Sequence, residues 1–233
     1  MKNTVLILSA ILIFALTANA QTADWAKFSR YRNSNINLTA TPANGKRVVF
    51  FGNSITDNWP HRSAQFWKDH PDYVGRGISG QSSYNMLSRF REDVVNLNPA
   101  AVVINAGTND IAENSHPYNE DITLGNIMSM VEIARANGIS VILTSVLPAG
   151  HFSWREAITD GPEKIKALNA RIKVYADKEN IPYVDYYSVL ISEDGRNMTA
   201  EYTNDGVHPV KEGYAVMEAA VIPVIEKTLK SRR

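Results

Sequence analysis

The 233-residue chain contains no cysteine and carries no net formal charge, 24 Lys and Arg standing against 24 Asp and Glu. The first absence excludes a disulfide framework, a thiolate nucleophile and any Cys-ligated zinc or iron–sulfur centre. It also removes the cysteine that carries the lipid of a bacterial lipoprotein. The second absence leaves no field for gripping a phosphate backbone, and the only basic cluster is the tail Lys230, Arg232, Arg233. Nucleic acid is therefore not an expected partner. None of the five histidines belongs to a His-Glu-x-x-His or comparable cluster, so no metal is expected; His61, His70, His116 and His151 read as surface or loop residues. Internal repeats and low-complexity linkers are also missing, which favours a single domain.

A long apolar run occurs only at the start. Lys2 is followed by Val5 to Leu16 and the small-x-small site Ala18-Asn19-Ala20, the pattern of a secretory signal peptide over residues 1–20. The run is shorter than the roughly 20 apolar residues needed to span hydrocarbon, so a membrane anchor is not expected. The product expected is a soluble chain beginning at Gln21, in a periplasm or outside the cell. Residues 21–46 are polar and Asn-rich, with Trp25, Phe28 and Tyr31 spaced as on one face of a short helix; they read as an N-terminal arm packed on a domain of residues 47–233.

From Arg47 onward, short β-branched runs alternate with segments of helical period, the signature of βαβ units around a parallel sheet. Strands are expected at Arg47–Phe51, Tyr73–Gly75, Ala101–Asn105, Ser140–Ser145 and Tyr183–Asp185. Helical stripes appear as Leu87, Phe90, Val94, as Ile165, Leu168, Ile172, Tyr175, and as Tyr214, Met217, Val221, Val224. Pro162 marks a helix start and Asn137-Gly138 a helix end. The economical architecture is one three-layer α/β domain.

In open parallel sheets ligands bind outside the carboxyl ends of the strands, so the loops leaving those ends are where chemistry is expected. Three such loops are small and polar: Gly52-Asn53-Ser54-Ile55-Thr56-Asp57, Gly77-Ile78-Ser79-Gly80-Gln81-Ser82 and Ala106-Gly107-Thr108-Asn109-Asp110. A fourth segment, Asp205-Gly206-Val207-His208-Pro209, precedes the last helix. Each has an ordinary structural reading. Ser54 suits a helix cap, Gly77 and Gly80 suit turns that need positive φ, and Asn109 suits an Asx turn. Each also has a chemical one. A nucleophilic serine needs a base and oxyanion donors, which His208 oriented by Asp205, the Gly80 N–H and the Asn109 amide can supply.

Taken together and in order, the four segments resemble the SGNH, or GDSL-type, hydrolases, serine esterases and lipases named for a Ser, a Gly, an Asn and a His in four sequence blocks. The resemblance spans roughly residues 47–229. It implies a flavodoxin-like α/β/α sandwich with a five-stranded parallel sheet, Ser54 as nucleophile, His208 as base with Asp205 behind it, and an oxyanion hole from Ser54, Gly80 and Asn109. It implies acyl transfer to water without a metal or organic cofactor. One departure is Asn53, where the family usually has Asp; activity is expected to persist with a slight change in pH dependence. The Gly-x-Ser-x-Gly elbow of α/β-hydrolases is absent around Ser54. The substrates expected are short acyl esters, acetylated carbohydrate foremost, with Trp59, His151, Phe152 and Trp154 as an aromatic wall for a sugar ring. The alternatives are a lysophospholipase or platelet-activating-factor-acetylhydrolase-like lipid esterase, an acyl transferase to a sugar hydroxyl, and a catalytically silent carbohydrate-binding relative.

Overall fold

The computed structural model describes residues 24–40, 43 and 45–232, so the expected signal peptide lies outside the described residues. Five strands, β1 (Val48–Gly52), β2 (Tyr73–Gly77), β3 (Ala101–Ile104), β4 (Ser140–Thr144) and β5 (Tyr183–Val184), form one wholly parallel sheet in the order β2-β1-β3-β4-β5. All five expected strands form, with ends displaced by at most two residues. β1 and β3 are completely buried, because helices cover both faces.

Successive side chains of a strand point to opposite faces, and here each face has its own core. Val49, Phe51, Val102, Ile104, Val141 and Leu143 lie on one side. They pack under α4 (Ser83–Asp93), α6 (Glu120–Ala136) and α7 (Gly161–Lys178). Val48, Phe50, Ala101, Val103 and Ile142 lie on the other, under α2 (Ser54–Arg62), α3 (Ala64–Asp69), α8 (Tyr186–Leu190) and α9 (Lys211–Lys230). A short α5 (Thr108–Ile111) follows β3 directly. The helical stripes bury nearly as expected; on α9 Ile225 replaces Val224 as the fully buried residue. Among the described residues no helix is long and apolar enough to cross a membrane.

The arm departs from expectation. Residues 24–31 form successive turns, and α1 begins only at Arg32, running to Thr39. Two local features break the early helix. The Asp24 carboxylate accepts the N–H groups of Phe28 and Ser29, and Lys27 adopts a left-handed φ of 55°, a conformation unfavourable for a side chain bearing Cβ. Trp25 is consequently 59% exposed.

Strand order places the topological switch point between β1 and β3. The loops leaving these two strands run to opposite sides of the sheet, the point at which open parallel sheets form their ligand crevice.

Candidate active site

Ser54 and Asn109 flank this crevice, one after β1 and the other after β3. The first turn of α2 starts at Ser54. Asn53 is its N-cap, with Oδ1 accepting the Ile55 N–H at 3.0 Å. Ser54 is thus the first helical residue rather than the cap, leaving its hydroxyl free for another partner. That partner is His208 Nε2 at 2.8 Å. Asn53 Nδ2 is buried without a hydrogen-bond partner, which locates the departure from the family pattern at a concealed position beside the candidate nucleophile.

His208 Nδ1 lies 2.7 Å from Asp205 Oδ2. A carboxylate only accepts, so this contact holds the imidazole proton on Nδ1 and turns the Nε2 lone pair toward Ser54 Oγ–H. The turn carrying both residues is tightly tied: Asp205 Oδ1 accepts the backbone N–H groups of Val207 and His208 at 2.9 and 2.7 Å. Thr203 Oγ1 accepts the Gly206 N–H and donates to the His208 carbonyl. Gly206 has φ +80°, where a side chain would be strained. Partial burial pushes the Asp205 carboxyl upward, but hydrogen bonds from the His208 and Val207 N–H groups and the His208 ring outweigh it and hold it below the usual carboxylate value.

The segment after β2 is brought against the start of α2 because Gly77 has no Cβ. A Cβ there would lie 2.1 Å from Asp57 N and 2.7 Å from Asn53 O. Gly77 is therefore not a positive-φ turn glycine; it ends a strand at a point of close approach. Gly80 is the turn glycine, with φ +82° and open space around it. Among the described residues the N–H groups of Ser54 and Gly80 have no hydrogen-bond partner. Asn109 is 3% exposed. Its Nδ2 donates to the Gln81 carbonyl at 2.9 Å, which joins β3's loop to β2's loop and leaves one amide hydrogen uncommitted. Next to it, Asp110 accepts from the Ser83 N–H and hydroxyl at the start of α4. Burial pushes this carboxyl up.

The four residues expected to form an aromatic wall separate, and Phe152, like Trp59, is buried rather than presented to solvent. Trp59 does not belong to it: it is 2% exposed, packs on Phe50, Phe66 and Tyr214, and donates its Nε1 to Glu218. It lies on the inward face of α2, which is why its ring joins the core. Trp154 is 41% exposed with its ring 6.2 Å from the His208 ring, and His151 packs against Gly206 in the same turn. Fully buried Phe152 anchors this loop and packs 5.5 Å from Trp154. His116 also departs from a simple surface reading, since its Nε2 is buried 4.0 Å from Asp110.

Two participants were not legible in the loops. Asn114 lies in an ordinary polar stretch. Arg89 is fully buried and donates to the Gly52 carbonyl at 2.9 Å and to Gln81 Oε1 at 2.5 Å; a charged residue next to Phe90 on an apolar helix face was the available hint. Among the described residues no group of three or more His, Asp or Glu is placed to hold a metal.

Known proteins resemble this chain in sequence and in fold. Residues 50–216 match the GDSL-like lipase/acylhydrolase family. A Bacteroides fragilis protein assigned as an acylhydrolase has a similar crystal structure, 55% identical, with a TM-score of 0.86 over 88% of this chain and 99% of that one. A GDSL-like lipase from Bacteroides thetaiotaomicron is 54% identical with a TM-score of 0.85 over the same shares. The uncharacterized lipoprotein YqeF of Bacillus subtilis is 27% identical over 184 residues, 66% of this chain and 76% of its own length. A parallel five-stranded sandwich, a serine and a histidine in contact at its switch point and a family match across most of the chain lead to one conclusion: this protein belongs to the GDSL-like lipase/acylhydrolase family and is an ester hydrolase.

Proposed function

We propose that the protein removes short acyl groups, acetyl foremost, from carbohydrate or similar small esters by way of an acyl-enzyme. The observation that carries the mechanism is the continuous contact Ser54 Oγ···His208 Nε2, 2.8 Å, and His208 Nδ1···Asp205 Oδ2, 2.7 Å. His208 takes the Ser54 proton as Oγ attacks the ester carbonyl, and Asp205 stabilises the imidazolium that forms. The tetrahedral oxyanion is held by the N–H groups of Ser54 and Gly80 and by the uncommitted N–H of Asn109. His208 then returns the proton to the leaving alcohol, and water repeats the sequence on the acyl-enzyme. No step calls for a metal or organic cofactor.

The short-acyl carbohydrate reading is supported by the exposed indole of Trp154 beside His208, a flat apolar face where the alcohol part of an ester would leave. The name of the Bacteroides thetaiotaomicron neighbour, a lipase, favours a second reading, a lipid ester. From the signal-peptide pattern over residues 1–20 we read the product as a secreted or periplasmic enzyme. Turnover of p-nitrophenyl acetate should fall about 10⁶-fold in Ser54→Ala, the scale of losing a hydrolase nucleophile, and a fluorophosphonate should label Ser54. Near-normal turnover in that variant removes Ser54 from the mechanism. Across acyl chains from acetyl to decanoyl, rates falling with length support the short-acyl reading and rates rising with length support the lipid one. Acetate release from acetylated glycans tests the alcohol.

A further inference from the structure

Behind the candidate oxyanion donor runs a chain of hydrogen bonds. Trp154 Nε1 donates to Asn114 Oδ1 at 2.8 Å, Asn114 Nδ2 donates to Asn109 Oδ1 at 2.9 Å, and Asn109 Nδ2 donates to the Gln81 carbonyl at 2.9 Å. The two ends allow only one direction, because an indole N–H can only donate and a backbone carbonyl can only accept. Each carboxamide between them is therefore held in one of its two orientations. Turning either over sets oxygen against oxygen or N–H against N–H.

The consequence falls on Asn109. With Oδ1 taken by Asn114 and one N–H by Gln81, the remaining N–H is directed away from both. With the amide reversed, a carbonyl oxygen would take the place of a donor and repel the oxyanion. We propose that Asn114 and Trp154 are positioning residues that hold the Asn109 amide in its donating orientation; this rests on Asn109 being an oxyanion donor in the reaction proposed above. Further contacts tie this frame together. The Asn114 N–H donates to the Asn109 carbonyl at 3.1 Å, Arg155 Nη2 donates to the Asn114 carbonyl at 3.2 Å, and buried Phe152 packs on the Trp154 ring. The same indole that sets this polarity lies beside His208, so the oxyanion side and the base side of the site share one support.

The test is a double-mutant cycle on the full chain, with kcat and KM for p-nitrophenyl acetate and thermal melts as the folding control. Trp154→Phe keeps the ring and removes the N–H; Asn114→Ala removes both links; Asn114→Asp can accept from the indole but sets an oxygen against Asn109 Oδ1. Trp154→Phe and Asn114→Ala should each lower kcat by about fivefold to tenfold with KM little changed, the scale of one net hydrogen bond. Asn114→Asp should cost more than Asn114→Ala. All three should become neutral once Asn109→Ala, itself expected to cost about 10²–10³ in kcat, is present. Equal losses with and without Asn109, or no loss while Asn109→Ala is crippled, overturn the positioning role. An Asn109→Ala enzyme of normal activity instead removes the oxyanion assignment and the relay with it.

Discussion

Two carboxylates show how local partners decide a residue's behaviour. At Asp205, three hydrogen bonds from one turn outweigh partial burial, and the group is held below its ordinary value. A carboxyl lowered in the folded chain contributes stability that is complete above its unfolded value, about 3.9, and is lost as pH falls through the lower folded value. The melting-temperature difference between the native chain and Asp205→Asn should thus hold steady above about pH 5 and close in stronger acid. A difference that widened on acidification would contradict the lowered value. Asp110 runs the other way: burial raises it, so its contribution is greatest below the unfolded value and declines as pH rises through the folded one. Its hydrogen bonds to Ser83 are what keep a buried carboxylate tolerable.

At the scale of elements, α4 connects the sheet to the two loops that frame the crevice. Arg89 is the joint. Its guanidinium pairs with Asp93 at 2.9 Å, one turn along the helix, and donates to the carbonyls of Arg76 in β2 and Gly52 in β1 and to the Gln81 side chain. A planar fork with five donors meets all four partners, whereas a lysine ammonium is a single point. Arg89→Met should destabilise the fold by about 3–5 kcal/mol, because it leaves the Asp93 charge buried without its guanidinium. Urea unfolding measures this, and adding Asp93→Leu should recover part of the loss. A cost below about 1 kcal/mol would mean that the pair is not closed in solution.

For the molecule as a whole, the arm ahead of the family-matched segment is part of the site's support. Tyr31 Oη donates to the Gly77 carbonyl, Gln81 Nε2 donates to the Ala26 carbonyl at 2.8 Å, and Arg30 reaches Asp57, whose carboxylate also accepts from the Ser79 N–H and hydroxyl. These bonds tie the loop carrying Gly80 to both the arm and α2. Tyr31→Phe should cost about 0.5–1.5 kcal/mol, one net hydrogen bond, read as a fall of a few degrees in melting temperature for a chain of this size. An unchanged melting temperature would show that the arm is not docked in solution.

The alternation of short β-branched runs with helical stripes determined the sheet and its covering helices, since burial on two faces leaves a strong periodic trace in any sequence. The four polar loops, read in order, determined where chemistry was to be sought. What the linear pattern could not carry by itself was adjacency between residues far apart in the chain; the family resemblance implied the pairing of Ser54 with His208, and the tertiary structure sets the two in contact across 154 positions. Only the tertiary structure turned Trp59 into the core while leaving Trp154 beside His208, and joined Asn109 to Asn114 and Trp154. The reason is physical. A buried stripe is a property of one element's own residues, whereas the direction of a side chain and the polarity of a hydrogen-bond chain depend on which elements the fold brings to the same end of the sheet.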